Sequence, residues 1–311
     1  MYKKIILIIT LCFLAVISCS NPTSPEKQED NNQNIIPPAT EEELRIYGVD
    51  ISQNDDVIMN KIETNLKSYF KEKGVYKVIL KGKAKTSYSQ DTSLSFLIYT
   101  VAKKLYLNNI IVDISGIDFN GNSIESYMFA EGIGSQEDVI FTFVFPENKI
   151  TVIKSYAFHM LSSLKEISIP NSVTSIGEGA FFKCTKLEKL IFGTSLKTIG
   201  DSAFFTASSL KELTIPESVT IIEAGAFAYS GLITLTLPAS LESVGDIAFS
   251  ASLSLTAVTY LGTIPNGIKN NGNVFDSCTE LKTLILPNVQ TLNPDEWKNF
   301  LGGNFTDIRK N

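Results

Sequence analysis

The chain of 311 residues holds one histidine, His159, one tryptophan, Trp297, and four cysteines. A single histidine removes multi-histidine metal sites and most histidine-based catalytic constellations. Charge is sparse as well. Charged residues make up 19% of the chain, with 27 Lys and Arg against 33 Asp and Glu, for a formal net charge of −6. No Lys/Arg run breaks that acidic balance, so the chain is unsuited to gripping a phosphate backbone and nucleic acid drops out as a partner. The sequence contains no P-loop, no G-x-S-x-G elbow, no zinc-ligand spacing and no dinucleotide fingerprint. It therefore implies no catalytic residue, no metal and no cofactor. Apolar residues, in contrast, are 44% of the chain, ample for one large core or two ordinary ones.

Residues 1–18 read as a signal peptide. Lys3 and Lys4 form a short basic start, and Ile5 to Ile17 form an apolar stretch of h-region length, too short to span a bilayer. Leu14-Ala15-Val16-Ile17-Ser18-Cys19 resembles a bacterial lipobox. That resemblance implies diacylation of Cys19 as the new N-terminus. Residues 19–43 are rich in Pro, Asn, Gln and Glu with little to bury, the composition of a disordered spacer. Two acyl chains give stable attachment where one is marginal, so contact with the membrane is expected through the anchor alone.

A repeat then takes over. The phenylalanines of a recurring Ala-Phe pair, Phe158, Phe181, Phe204, Phe227 and Phe249, are spaced 23, 23, 23 and 22 residues apart. Phe275 continues the series after an insertion and Phe129 precedes it. Upstream of them recurs L-x-x-I-x-I-P, fullest at Leu164–Pro170, Leu210–Pro216, Leu232–Pro238 and Leu281–Pro287, and weaker from Leu187 and Leu255. Apolar positions two apart share one strand face, and proline ends the strand because it cannot donate to the ladder. Glycine after Ile176, Ile199 and Val244 is expected to supply a positive-φ turn. No repeat can bury its own apolar edge, so the coils must stack into a parallel-sheet solenoid.

Solenoid ends need caps. Residues 54–73 show helical apolar spacing, residues 75–80 read as a strand, Thr92 or Ser93 can cap a helix through Leu105, and 109–115 read as a second strand. This α/β unit, assigned to residues 44–115, would feed its last strand into the repeat sheet, with Ile124 and Phe129 as a first degenerate repeat. The repeats are assigned to 116–292. A short helix over 294–301 would lay Trp297, Phe300 and Leu301 on the last coil, making 293–311 a C-terminal cap and tail.

The segment Leu164-Lys-Glu-Ile-Ser-Ile-Pro-Asn-Ser-Val-Thr-Ser-Ile-Gly-Glu-Gly-Ala-Phe-Phe-Lys-Cys-Thr-Lys186 resembles the repeat of the BspA-like leucine-rich-repeat family. Val112–Gly116 and Asn299–Thr306 resemble treponemal members with the same lipoprotein arrangement. The resemblance implies a leucine-rich-repeat solenoid and a surface lipoprotein, and some members are adhesins for host matrix proteins.

Other constellations read as structural. Cys184 and Cys278 both follow a repeat phenylalanine by three residues, but four coils, about 19–20 Å, separate them. A disulfide needs Cα atoms within about 7 Å, so both are expected reduced and half-buried. His159 is expected in a surface loop. Glu178, Asp201, Glu223 and Asp246 form a column of turn acids without the cleft that paired-carboxylate chemistry requires. In residues 44–115, Asp50, Asp55, Asp56 and Asp113 read as helix-start and strand-end residues rather than an enzyme site.

The remaining candidate is the exposed sheet face. Strand positions alternating with buried ones are Glu166/Ser168, Lys189/Ile191, Glu212/Thr214, Thr234/Thr236, Ala257/Thr259 and Thr283/Ile285. Thr and Ile suit solvent-facing strands on propensity alone, yet a flat, weakly charged ladder is also where repeat proteins place binding surfaces. The sequence thus points to a non-catalytic protein, anchored at the outer membrane and facing outward. Its expected partner is a host matrix protein or a glycan. The rival reading is a periplasm-facing lipoprotein with a structural or envelope-assembly role.

Overall fold

The computed structural model describes residues 36–132 and 138–310. The leader, Cys19 and most of the spacer lie outside the described residues. Among those described, no helix is long and apolar enough to cross a membrane.

The N-terminal region begins with α1 (Glu41–Tyr47) and β1 (Gly48–Asp50), followed by α2 (Asp55–Lys73), β2 (Lys77–Lys83), α3 (Leu94–Lys104) and β3 (Asn109–Asp118). Local chemistry fixes the helix ends. The Asn54 side chain accepts from the Val57 amide, Ser93 from that of Phe96, and Gly74 closes α2 at φ 74°. The segment read as spacer to residue 43 folds from residue 36 onward. Thr40 and Glu43 form a reciprocal capping box for α1, the Ala39 amide donates to Asp113, and Lys77 donates to the Pro37 carbonyl. The cause is a buried ion pair. Lys77 and Asp113 meet at 2.8 Å with their side chains 5% and 0% exposed, and two such charges require further hydrogen-bond partners. Asp113 is therefore a buried lock inside β3 rather than a strand-end residue. Asp50 ends β1, and Asp55 and Asp56 open α2, as the sequence indicates.

β1, β2 and β3 lie side by side, all parallel, and β3 pairs in turn with β5 (Ile140–Val144), the first strand of the repeat series. From there each coil visits two sheets. Six two-residue strands, β4 (Ser123–Ile124), β6 (Val152–Ile153), β8 (Ser175–Ile176), β10 (Thr198–Ile199), β12 (Ile221–Ile222) and β14 (Ser243–Val244), form one sheet. On the other side run β7 (Glu166–Ser168), β9 (Lys189–Ile191), β11 (Glu212–Thr214), β13 (Thr234–Leu237), β15 (Ala257–Tyr260) and β16 (Thr283–Ile285). Between the sheets the repeat phenylalanines stack in one file. Centroid separations from Phe129 through Phe158, Phe181, Phe204, Phe227 and Phe249 to Phe275 are 5.3, 4.9, 4.9, 5.1, 5.4 and 5.7 Å. That is close to the strand spacing of about 4.8 Å, so each ring follows its own coil.

Gly177, Gly200 and Gly245 do not supply the positive-φ turn expected of them. A Cβ on Gly177 would come within 2.6 Å of the Ser155 amide nitrogen, and one on Gly245 within 2.4 Å of that of Ala224. They are glycine because adjacent coils touch there. Positive φ falls two residues later, on Gly179 and Gly225 but also on Tyr156, Ser202 and Ile247.

At the C-terminus α4 (Pro294–Trp297) is shorter than the expected 294–301 helix, and a 3-10 turn at Phe300–Gly302 completes the cap. Leu301, at φ 51°, breaks the helix. Trp297, Phe300 and Leu301 are all buried, and Tyr260 of the sheet contacts both aromatic rings. The tail then adds a strand the sequence reading missed, β17 (Asp307–Arg309), parallel to β16.

Candidate ligand-binding face

Strand alternation and register assemble the face. Leu213, Leu235, Val258, Leu284 and Ile308 align across five strands and point to the core, which forces their neighbours outward. One outward row is Glu212, Thr234, Ala257, Thr283 and Asp307. The other is Thr214, Thr236, Thr259, Ile285 and Arg309. On the neighbouring two-stranded ladder, Glu166 faces Lys189 and Ser168 faces Ile191. Glu166, Ser168, Lys189, Glu212, Thr214 and Thr234 are exposed, while Ile191, Thr236, Ala257, Thr259, Thr283 and Ile285 are half-buried. Every candidate from the sequence lies on this side. Asp307 and Arg309 extend it, and the alternation Asp-Ile-Arg was the signal for them.

Among the described residues, the hydroxyls of Ser168, Thr214, Thr234, Thr236 and Thr259 find no hydrogen-bond partner. Thr283 is different, donating to Asp307 at 3.1 Å. Successive hydroxyls in the Thr214, Thr236 and Thr259 row stand about one strand spacing apart. The face thus presents free donors and acceptors at a regular pitch on a rigid support, with Glu166, Lys189 and Glu212 at its polar edge.

The sheet is not continuous. No backbone hydrogen bond joins β5 to β7 or β9 to β11. At the second break a slot of about 450 Å³ opens, floored by Leu190, Phe192 and Leu213 and rimmed by Lys189, Ile191, Glu212 and Thr214. The internal file of rings is unbroken at the same level, Phe181 to Phe204 at 4.9 Å and Phe204 to Phe227 at 5.1 Å, so the coils stay packed inside and part only at the sheet.

Elsewhere the side chains serve structure. Cys184 is fully buried rather than half-buried and Cys278 is half-buried. Both are free thiols whose Sγ contacts the repeat phenylalanine carbonyl of the preceding coil, at 3.4 Å on Phe158 and 3.2 Å on Phe249. Burial pushes both thiols up, that of Cys278 to about 11, so neither is a ready nucleophile. His159 is no surface-loop residue. Its ring stacks on Phe182 at 5.3 Å and meets Tyr127 and Tyr156 edge-on, within a second, half-exposed aromatic row that runs on through Phe205 to Tyr229. Burial, aided by Lys183, holds its pKa below the usual value. The turn acids cap neighbours: Glu223 accepts from the Asp201 amide, Glu178 from Tyr156 and Asp246 from Asn271. Among the described residues no group of three or more His, Cys, Asp or Glu could hold a metal ion.

Stacked coils, a parallel ladder and an internal phenylalanine file define a leucine-rich-repeat solenoid. Residues 122–256 and 205–300 match the BspA type leucine rich repeat region, in six copies and over more than half of the chain, and the chain belongs to that family. No curated protein matches the sequence. Among solved structures, the chain is similar to the T. pallidum leucine rich repeat protein, at 24% identity over 56% of this chain and 77% of that one, with a TM-score of 0.47. A leucine rich cell surface protein from Faecalibacterium prausnitzii is 22% identical over 65% of this chain, with a TM-score of 0.44, and the match spans 57% of that protein. A leucine-rich repeat protein from Bacteroides ovatus is 16% identical over 73% of this chain and 68% of that one, with a TM-score of 0.41.

Proposed function

We propose that this protein is a non-catalytic, lipid-anchored surface protein that binds a protein or glycan, with host matrix components as the expected class, through its exposed repeat sheet. The row of hydroxyls that find no partner among the described residues carries this reading. A sheet face that had only to meet water could use any polar side chain, whereas this one repeats short, rigid Ser and Thr hydroxyls in register. Such groups make adaptable hydrogen bonds at small entropic cost, and the near absence of clustered charge suits a partner held by contact rather than by electrostatic steering. The buried, raised thiols and the packing of the lone histidine within an aromatic row support a binding role over a catalytic one. Cys19 is the proposed lipidation site, on the resemblance of its flank to a lipobox.

Protease shaving of intact cells, followed by immunoblotting beside a periplasmic control, tests the outward placement. Degradation of this protein alone is the expected result. Protection equal to the control would favour an envelope-assembly role. Replacement of Cys19 by alanine should abolish incorporation of labelled palmitate and release the protein from the membrane fraction.

A further inference from the structure

We infer that the slot between β9 and β11 receives an extended polypeptide segment, which enters as an additional parallel strand and completes the sheet. The inference rests on the binding-face reading and specifies both the partner's conformation and its point of entry.

Two facing strands both have a free edge here. β9 is bonded on one side to β7 and β11 on one side to β13. The Ile169 amide donates to the Ile191 carbonyl and the Ile215 amide to the Thr236 carbonyl, so those residues serve the outer ladders. In a parallel strand alternate residues turn their amides to opposite sides. Leu190 and Phe192 on one edge, with Glu212 and Thr214 on the other, therefore direct N–H and C=O groups into the slot. A strand laid between them would satisfy both edges, and neither a glycan nor a small molecule carries donors and acceptors at that repeat. The floor fits the same guest. Leu190 and Phe192 are half-buried where the other repeats bury their inward residues, leaving apolar surface for alternate side chains of an incoming strand. A volume of about 450 Å³ lies within the roughly 300–1,000 Å³ usual for ligand clefts.

The gap falls at one of the two weak strand blocks. Four coils end in Ile-Pro or Leu-Pro, the coil from Leu255 ends in Tyr260-Leu261 and still pairs on both sides, and this one ends in Phe192-Gly193. Phe192 turns edge-on to Phe204 at 5.8 Å as a prop within the coil. Gly193 lies against the preceding coil so closely that a Cβ would stand 2.3 Å from the Pro170 carbonyl oxygen. The strand end is thus pressed against the coil that carries β7.

The test begins with the free full-length protein in detergent. Amides of Glu212 and Thr214 should exchange with solvent at rates typical of exposed loops, while those of Leu213 and Leu235 stay protected. Protection at Glu212 and Thr214 in the free protein would mean the ladder is closed and would overturn the proposal. A phage-displayed library of random twelve-residue peptides is then panned against the same protein. Selected peptides should slow exchange at Leu190, Phe192, Glu212 and Thr214, and N-methylation of alternate peptide amides should reduce capture at least tenfold. Thr214→Pro removes one slot-facing donor on a strand edge, where proline is tolerated. It should reduce capture at least tenfold with the fold retained. Failure to select any peptide, or capture undiminished in a folded Thr214→Pro protein, would overturn the slot. Neither result bears on the hydroxyl face, which is judged separately by lysine substitutions outside the slot on a matrix-protein and glycan array.

Discussion

Truncating Phe204 to alanine removes the ring at the middle of the internal file. Phe204 is fully buried, stacked between Phe181 at 4.9 Å and Phe227 at 5.1 Å, and met edge-on by Phe192 at 5.8 Å. Loss of a buried phenylalanine costs about 3–5 kcal/mol once the cavity is included. Aromatic pairs contribute about 0.5–1.5 kcal/mol each beyond area, and three are lost, which places this site in the upper half of that range. Phe205, the next residue, offers the matched control. It is half-exposed in the outer row, stacked on Phe182 at 5.2 Å, and its truncation should cost about 1 kcal/mol. Because each coil touches only its neighbours, damage at Phe204 should also split the unfolding transition or lower its slope, the halves on either side coming apart separately. Urea unfolding followed by circular dichroism, with exchange read coil by coil, measures both effects. A Phe204→Ala protein within 1 kcal/mol of Phe205→Ala, unfolding with an unchanged slope, would refute the view that the ring file holds the solenoid together.

Three further outcomes follow from particular residues. His159 is the only histidine, and burial lowers its pKa, so the unfolded chain takes up that proton first as pH falls. Stability should be complete above about 6.5 and decline below it toward the lower folded pKa, and His159→Phe, which continues the row of Phe182 and Phe205, should abolish that slope in melts between pH 8 and 5. Ile247 occupies at φ 52° the turn position that is glycine in two other coils, and it is exposed, so Ile247→Gly should raise stability by about 0.5–1 kcal/mol in urea unfolding, whereas a loss would show that the strain is absent. Asp113→Ala leaves Lys77 buried without its partner and frees the Ala39 amide, and should cost about 3–5 kcal/mol and expose residues 36–47 to limited proteolysis. Intact protection of that segment would contradict the lock.

The solenoid was legible because its signal repeats. Phenylalanines spaced 23 residues apart and the L-x-x-I-x-I-P block state the same coil several times, and each copy constrains the next. What the sequence could not convey was contact between coils. Gly177, Gly200 and Gly245 look like turn residues by their place after a strand, yet only the stacked structure shows Ser155 and Ala224 filling the space where a side chain would go. His159 looked solvent-facing because its repeat position accepts Phe, Ala and Ser, and the same stacking turns that variable position into an aromatic row. The fold of residues 36–43 was hidden because its cause, the pairing of Lys77 with Asp113, lies far along the chain. The hydroxyl face was legible from two-residue periodicity. The slot was visible only as a weak repeat beginning at Leu187, since nothing in Phe192-Gly193 alone says that two strands part.

The claim that the exposed sheet is the binding surface is tested most directly with a protein carrying Ser168→Lys, Thr236→Lys and Ile285→Lys. These positions lie outside the slot and are separated by at least one strand, so the lysines avoid facing each other directly. Wild-type and variant are compared on one array of matrix proteins and glycans, with melting temperatures measured in parallel. The expected result is at least one ligand bound by the wild-type and weakened tenfold or more in the variant, with the melting temperature nearly unchanged. Equal binding by a folded variant would contradict the account and move the site off the sheet.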